Sequence, residues 1–125
     1  MKRKKEIPPS VQLENHRRSV FLPSEIDIQA YEVVAPRIIE LRLHSSDPIC
    51  LFIHCWGGIP FIAEQILRLM RSPRQDGQRC MVTTICTGVA ASAAADLLAA
   101  GDYAIAYGDS SSSATAQEND TVNLP

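Results

Sequence analysis

The 125-residue chain lacks a strong net charge of either sign. It carries 12 Lys and Arg against 14 Asp and Glu, which gives a formal net charge of −2. Without a basic field, binding to nucleic acid is not expected. The charge is unevenly distributed, because residues 1–18 carry +4 and the remainder carries −6. This distribution predicts a flexible basic arm over residues 1–16, followed by a mildly acidic body.

The chain also lacks an apolar leader and a CxxC motif. Glu6 and Pro8-Pro9 interrupt the basic start, so a secretory signal is not expected, and a cytoplasmic location is predicted. In a reducing compartment the cysteines are expected to be small buried apolar residues, with a zinc site and a disulfide as alternatives. No cofactor or metal is predicted. The four cysteines are Cys50, Cys55, Cys80 and Cys86.

Apolar runs of strand length alternate with segments of helical periodicity, and short turns separate them. The order β-α-β-α-β-α-β predicts an α/β core over residues 17–109, with a mainly parallel sheet and right-handed crossovers. In the first helix, Ser24 is the predicted cap with Asp27 at the capping-box position, and Pro36 is expected to kink the helix. Gly101 is expected to end the third helix. The predicted strands are 18–22, 49–53, 80–86 and 103–107, and the predicted helices are 24–43, 61–72 and 90–100.

Residues 81–101 are long and apolar enough to suggest a membrane span. Their threonines, their two glycines and Asp96 instead favour a strand, a turn and a helix, so no membrane association is predicted. From Ser110 the composition changes to serine and other small or polar residues. Residues 110–125 are therefore predicted to form a disordered tail.

Two turns follow buried strands, at the sheet edge where parallel α/β proteins place their sites. The first contains Gly57-Gly58, whose backbone N–H groups can approach a ligand oxyanion. The second places Ser92 at the start of a helix, where a hydroxyl can act as a nucleophile. A tight turn for the glycines and a helix cap for Ser92 remain alternatives. There is no Gly-x-Ser-x-Gly motif, which excludes the α/β-hydrolase type of nucleophile turn.

The two turns together resemble the Clp protease proteolytic subunit, within the ClpP/crotonase fold. The resemblance runs from Arg18 to Asp109 and rests on the turn at 53–58 and the nucleophile segment at 84–93. It implies that Ser92 is the nucleophile and that Ala93 and Gly57 or Gly58 donate oxyanion-hole amides. It further implies a serine endopeptidase that acts on peptides or unfolded proteins, within rings of Clp-type subunits fed by an AAA+ unfoldase.

The chain departs from the family pattern where the base is expected. The family histidine follows the strand that corresponds to 103–107, but this chain has no histidine there, and the family aspartate would lie beyond its end. His54 is a weak substitute, and Asp96, at i+4 from Ser92, is expected to reach solvent. The expected catalytic unit is therefore incomplete, through C-terminal truncation or a shifted reading frame. A non-catalytic ring subunit or relic and a crotonase-like acyl-CoA enzyme are the alternative functions.

Overall fold

A computed structural model describes residues 16–108, 110–112 and 121–124 of the chain. In this part of the chain, strands and helices alternate from β1 to β4, as the sequence predicts. The strands are β1 (Ser19–Leu22), β2 (Ile49–Cys55), β3 (Val82–Ala90), β4 (Tyr103–Tyr107), β5 (Ser111–Ser112) and β6 (Thr121–Leu124). The helices are α1 (Ile28–His44), α2 (Pro60–Arg71) and α3 (Ala93–Ala99), and His16–Arg18 forms one turn of 3-10 helix.

All strand pairs in the sheet are parallel. The strand order is β1-β2-β3-β4-β6, and β5 pairs with the end of β3. Each of the first three strands is joined to its neighbour by one helix, so the chain moves across the sheet in sequence order. The predicted α/β architecture with a parallel sheet is therefore confirmed.

The core lies mainly between the sheet and its three helices. Leu51 and Ile53 of β2 join residues of all three helices in one large apolar cluster. Side chains on the opposite face of the sheet, among them Cys50 and Ile85, form a smaller cluster. Because side chains alternate between the two faces of a strand, this second cluster explains why residues 49–53 of β2 are an uninterrupted apolar run.

The cap predicted for α1 is wrong. Asp27 and not Ser24 caps α1, because its Oδ1 accepts the Ala30 N–H at 2.8 Å. Pro36 lies inside α1, which continues to His44, and the kink expected at this proline stays a prediction. Gly101 follows Ala100, the C-cap residue of α3, as predicted, but it is not in a left-handed conformation. A Cβ there would lie 2.5 Å from the Thr84 hydroxyl oxygen, so close packing against β3 is what requires a glycine.

The segment 81–101 contains β3, a turn and the short helix α3, as predicted. Among the residues that the structure describes, no helix combines the length and hydropathy needed to cross a bilayer. The four cysteines are all buried, as predicted.

The two ends of the chain are only partly described. The predicted basic arm lies almost wholly outside the described residues, which begin at His16. In the tail that was predicted to be disordered, the structure forms two short strands, β5 beside β3 and β6 beside β4. Backbone hydrogen bonding to an exposed strand edge needs no apolar side chains, so composition did not predict it. Residues 113–120 lie outside the described part.

Candidate active site

The turn after β2 is held in place by the segment between β1 and α1. The Trp56 N–H donates to the Ser24 carbonyl at 2.9 Å, and the Ile26 N–H donates to the Gly57 carbonyl at 2.8 Å. The Ile59 N–H donates back to the Ile26 carbonyl, also at 2.8 Å. These three backbone hydrogen bonds fix the path of the Gly-Gly turn without any contribution from side chains.

Both glycines of this turn have backbone conformations that other residues rarely adopt. The φ angle is 107° at Gly57 and 151° at Gly58. A Cβ on Gly57 would lie 2.8 Å from the Ala91 carbonyl oxygen, and a Cβ on Gly58 would collide with the backbone of Ile26. Glycine is therefore required at both positions by conformation and by space.

The two glycine amides have different partners. The buried Gly57 N–H points to the Cys55 thiol, with the nitrogen 3.4 Å from Sγ. Gly58 is exposed, and its N–H makes no hydrogen bond to another described residue. In the parallel bridge between Ile26 and Gly58, both backbone bonds run through the neighbours of Gly58, so the bridge does not use its own N–H. Of the two predicted donors, Gly58 is the one free to bind an oxyanion.

Cys55 lies directly beneath this turn. Its side chain is completely buried, and its thiol lies 3.9 Å from the Gly57 carbonyl oxygen as well as near the Gly57 N–H. Burial raises the pKa of the Cys55 thiol; the Gly57 backbone opposes this rise and the charge of Glu25 adds to it. The neutral thiol can both accept from and donate to the glycine backbone. The sequence predicts Cys55 only as a buried apolar residue, and no local pattern indicates this contact with Gly57.

Ser92 occupies the sharp turn between β3 and α3. Its φ of 56° and ψ of −124° make it the one non-glycine residue with positive φ among those described. Such a conformation costs on the order of 1–3 kcal/mol and is concentrated at functional sites. The serine is exposed, and its hydroxyl forms no capping bond to α3, although it precedes the helix. The helix-cap alternative for the Ser92 hydroxyl therefore finds no support in the geometry.

The structure brings the two predicted turns together. The Ala91 N–H donates to the Cys55 carbonyl at 3.1 Å, which joins the end of β3 to the end of β2. As a result, the Ser92 Cβ lies only 3.0 Å from the position of a Cβ on Gly57. The Ala93 N–H begins α3, where it has no acceptor within the helix, and it makes no backbone bond to another described residue. A nucleophile position and two unpaired amides therefore lie side by side.

No described residue makes a hydrogen bond to the Ser92 hydroxyl that would let it act as the base. The His54 ring lies over Gly88 on β3, so closely that a Cβ on Gly88 would overlap it. Neither the His54 ring nor the Ser92 hydroxyl makes a side-chain hydrogen bond with a described residue. His44 is exposed at the end of α1. The arrangement can stabilise charge on an oxygen during acyl transfer, but it does not deprotonate the attacking hydroxyl.

Comparisons with known proteins bear on the family and the fold of this chain. The chain matches the Clp protease family over residues 4–112, which include part of the predicted basic arm. The ATP-dependent Clp protease proteolytic subunit 4 of Rhodococcus jostii is 40% identical over 87 residues, which are 69% of this chain and 42% of that protein. A solved structure of a ClpP1 mutant from Listeria monocytogenes has the same fold, with a TM-score of 0.66 and 24% identity.

The structural match covers 75% of this chain and 53% of the Listeria chain, so this chain spans about half the length of the proteins that it matches. At 24% identity the structural likeness establishes the fold alone. The family match covers most of the chain and includes both turns of the site. On these grounds, the chain belongs to the Clp protease family.

Proposed function

We propose that this chain is a Clp-type serine endopeptidase subunit in which Ser92 is the nucleophile and the amides of Gly58 and Ala93 form the oxyanion hole. The strained backbone of Ser92 carries the proposal, because φ of 56° presents an exposed hydroxyl beside two unpaired N–H groups. Family membership supports the same reaction class. Gly57, which was also a predicted donor, has the role of shaping the turn.

In the proposed reaction, the Ser92 Oγ attacks the carbonyl carbon of a peptide bond. The Oγ–C bond forms, the carbonyl electron pair moves to the oxygen, and the two amides stabilise that oxyanion. The hydroxyl proton passes to a base, which then protonates the leaving amine as the C–N bond breaks. Water hydrolyses the resulting ester. Because no histidine contacts Ser92 among the described residues, the 125-residue chain by itself is expected to acylate slowly and not to cleave peptides.

A fluorophosphonate probe tests the nucleophile separately from the base. The Oγ–P bond forms as fluoride leaves and the hydroxyl proton passes to solvent, and the oxyanion-hole amides stabilise the charge that develops on the phosphoryl oxygen. We expect slow, stoichiometric labelling that Ser92→Ala abolishes and Ser24→Ala leaves unchanged. Ser24 is an exposed serine of the adjoining turn, so it is a matched control. Labelling that survives Ser92→Ala would overturn the assignment, and so would a folded chain that is never labelled.

A non-catalytic role within a Clp-type ring is a second proposed function. Large apolar side chains are exposed on α1 and β1, including Leu43 at 75%, Phe21 at 65% and Val33 at 62%. Exposed apolar surface of this kind is typical of protein interfaces. The proposed partners are catalytic Clp-type subunits and, through the assembled ring, an AAA+ unfoldase. We place this assembly in the cytoplasm, where a reducing environment suits four buried free thiols.

Size-exclusion chromatography with light scattering tests the ring role. The chain is measured alone and mixed with the full-length Rhodococcus relative. Co-elution in a particle larger than either protein forms alone is expected. Separate elution at all mixing ratios would contradict this role.

A further inference from the structure

A groove beside Ser92 combines apolar walls with an acidic rim. It has a volume of about 250 Å³ and lies between α2 and α3. Buried side chains of Ala63, Ala93 and Leu97 form its walls, with half-buried Leu67. Ala93 directly follows the proposed nucleophile in the chain, and it is the lining residue that joins the groove to the proposed site. Small-molecule pockets exceed about 300 Å³, so this volume fits a single side chain better than a whole ligand.

The negative charge of the rim is concentrated on Asp96. Two exposed carboxylates, those of Glu64 and Asp96, border the groove. Glu64 is already paired with Arg68 on the same helix, with an N–O distance of 2.7 Å. Asp96 forms no ion pair with a described residue. It lies in α3, four residues after Ser92, and it is an exposed residue of the groove lining.

From this geometry we infer that the groove binds a lysine or arginine side chain of the peptide substrate, next to the bond that Ser92 attacks. The aliphatic stem of such a side chain lies along the apolar walls while its cationic end reaches Asp96 in solvent. A neutral straight chain would bury the same apolar surface but would lack the ion pair. An acidic side chain would be repelled. This inference rests on the proposed function of Ser92 and adds a preference for basic residues.

Two peptidyl fluorophosphonates that differ only in the side chain next to phosphorus test the inference. One carries the lysine side chain and the other the norleucine side chain. We expect the lysine probe to label Ser92 about three to five times faster at low salt, the range of an exposed ion pair. Asp96→Asn should remove this difference, and 1 M NaCl should reduce it in the unaltered chain, since salt screens exposed charges.

Glu40→Gln is the matched control, because it changes net charge equally at an exposed site on α1, away from the groove. It should leave the lysine preference intact. Equal labelling by the two probes, or a lysine preference that persists in Asp96→Asn, would overturn the inference while leaving Ser92 as the nucleophile. Labelling by both probes that is unaffected by Ser92→Ala would instead overturn the proposed function itself. The salt dependence provides a test that does not require the variant to fold.

Discussion

Ser92 and Gly57 are in contact across the carboxyl ends of two neighbouring strands. The Ser92 Cβ lies 3.0 Å from where a Cβ on Gly57 would be, and the Ala91 carbonyl oxygen lies 2.8 Å from the same point. Two residues with positive φ are thereby packed against each other, one after β2 and one after β3. The close approach depends on the missing side chain of Gly57.

Gly57→Ala should therefore destabilise the fold and abolish labelling of Ser92. We expect a loss of about 2–4 kcal/mol in the free energy of unfolding, from an unfavourable φ together with a steric clash. Urea denaturation provides the measurement. Gly77→Ala is the matched control, because Gly77 has a φ of 83° but no atom within 4 Å of an added Cβ. Equal losses of unfolding free energy in the two variants would show that the close packing of Gly57 against Ala91 and Ser92 does not contribute to stability.

Arg18 should be a major determinant of stability, because its guanidinium is buried against the loop after α1. It donates to the carbonyls of Leu41 at 2.9 Å and Asp47 at 2.6 Å, and it is 6% exposed. Arg18→Met removes both bonds, which leaves the Leu41 carbonyl with only the Ser45 N–H and the Asp47 carbonyl without the guanidinium, so a loss of about 2–4 kcal/mol is expected in urea denaturation. Arg17→Met, at the exposed neighbouring position, should change stability by less than about 0.5 kcal/mol. Similar values for the two variants would contradict the role of Arg18.

The stability of the fold should depend on pH through Asp102. Burial acts to raise the pKa of this carboxyl, but hydrogen bonds from Arg79 and the Val82 N–H, with the positive charges of Arg79 and Arg71, hold the pKa below its ordinary value. A carboxyl with a lowered folded-state pKa stabilises the fold above its unfolded pKa, about 3.9, and this stabilisation is lost as pH falls through the folded value.

Asp102→Asn should therefore be less stable than the unaltered chain at pH 7, and the difference should shrink below about pH 4. Urea denaturation of both proteins between pH 7 and pH 3 measures it. A difference that stays constant over this range would show that the ionised carboxylate is not responsible.

His54 should contribute little to the reactivity of Ser92, because its ring lies over Gly88 and makes no hydrogen bond to the serine. His54→Gln is expected to change the rate of fluorophosphonate labelling by less than about twofold, whereas removal of a true general base costs about 10²–10⁴-fold. Added imidazole should accelerate labelling of the unaltered chain by supplying a base from solution, and Ser92→Ala should abolish that effect. A large loss of labelling in His54→Gln would identify His54 as the base.

Much of the fold could be predicted because its signals are local. The apolar run at 49–53 and the glycines after it indicate a buried strand and a turn, and the structure has both. The predicted cap of α1 is the wrong residue, because Ser24 and Asp27 are both good capping residues and only tertiary packing selects between them. The Ser24 carbonyl instead holds Trp56. The strand β6 could not be predicted, because its pairing with β4 depends on backbone groups distant in sequence.

The sequence alone determined the α/β class, the position of the two turns and the residue types that they present, because hydrophobic periodicity and glycine placement depend only on near neighbours. Only the tertiary structure decided which glycine amide is free, what Cys55 contacts and how close Ser92 lies to Gly57. These relationships join residues from separate strands. Their distances follow from the register of β2 against β3, which no local pattern specifies.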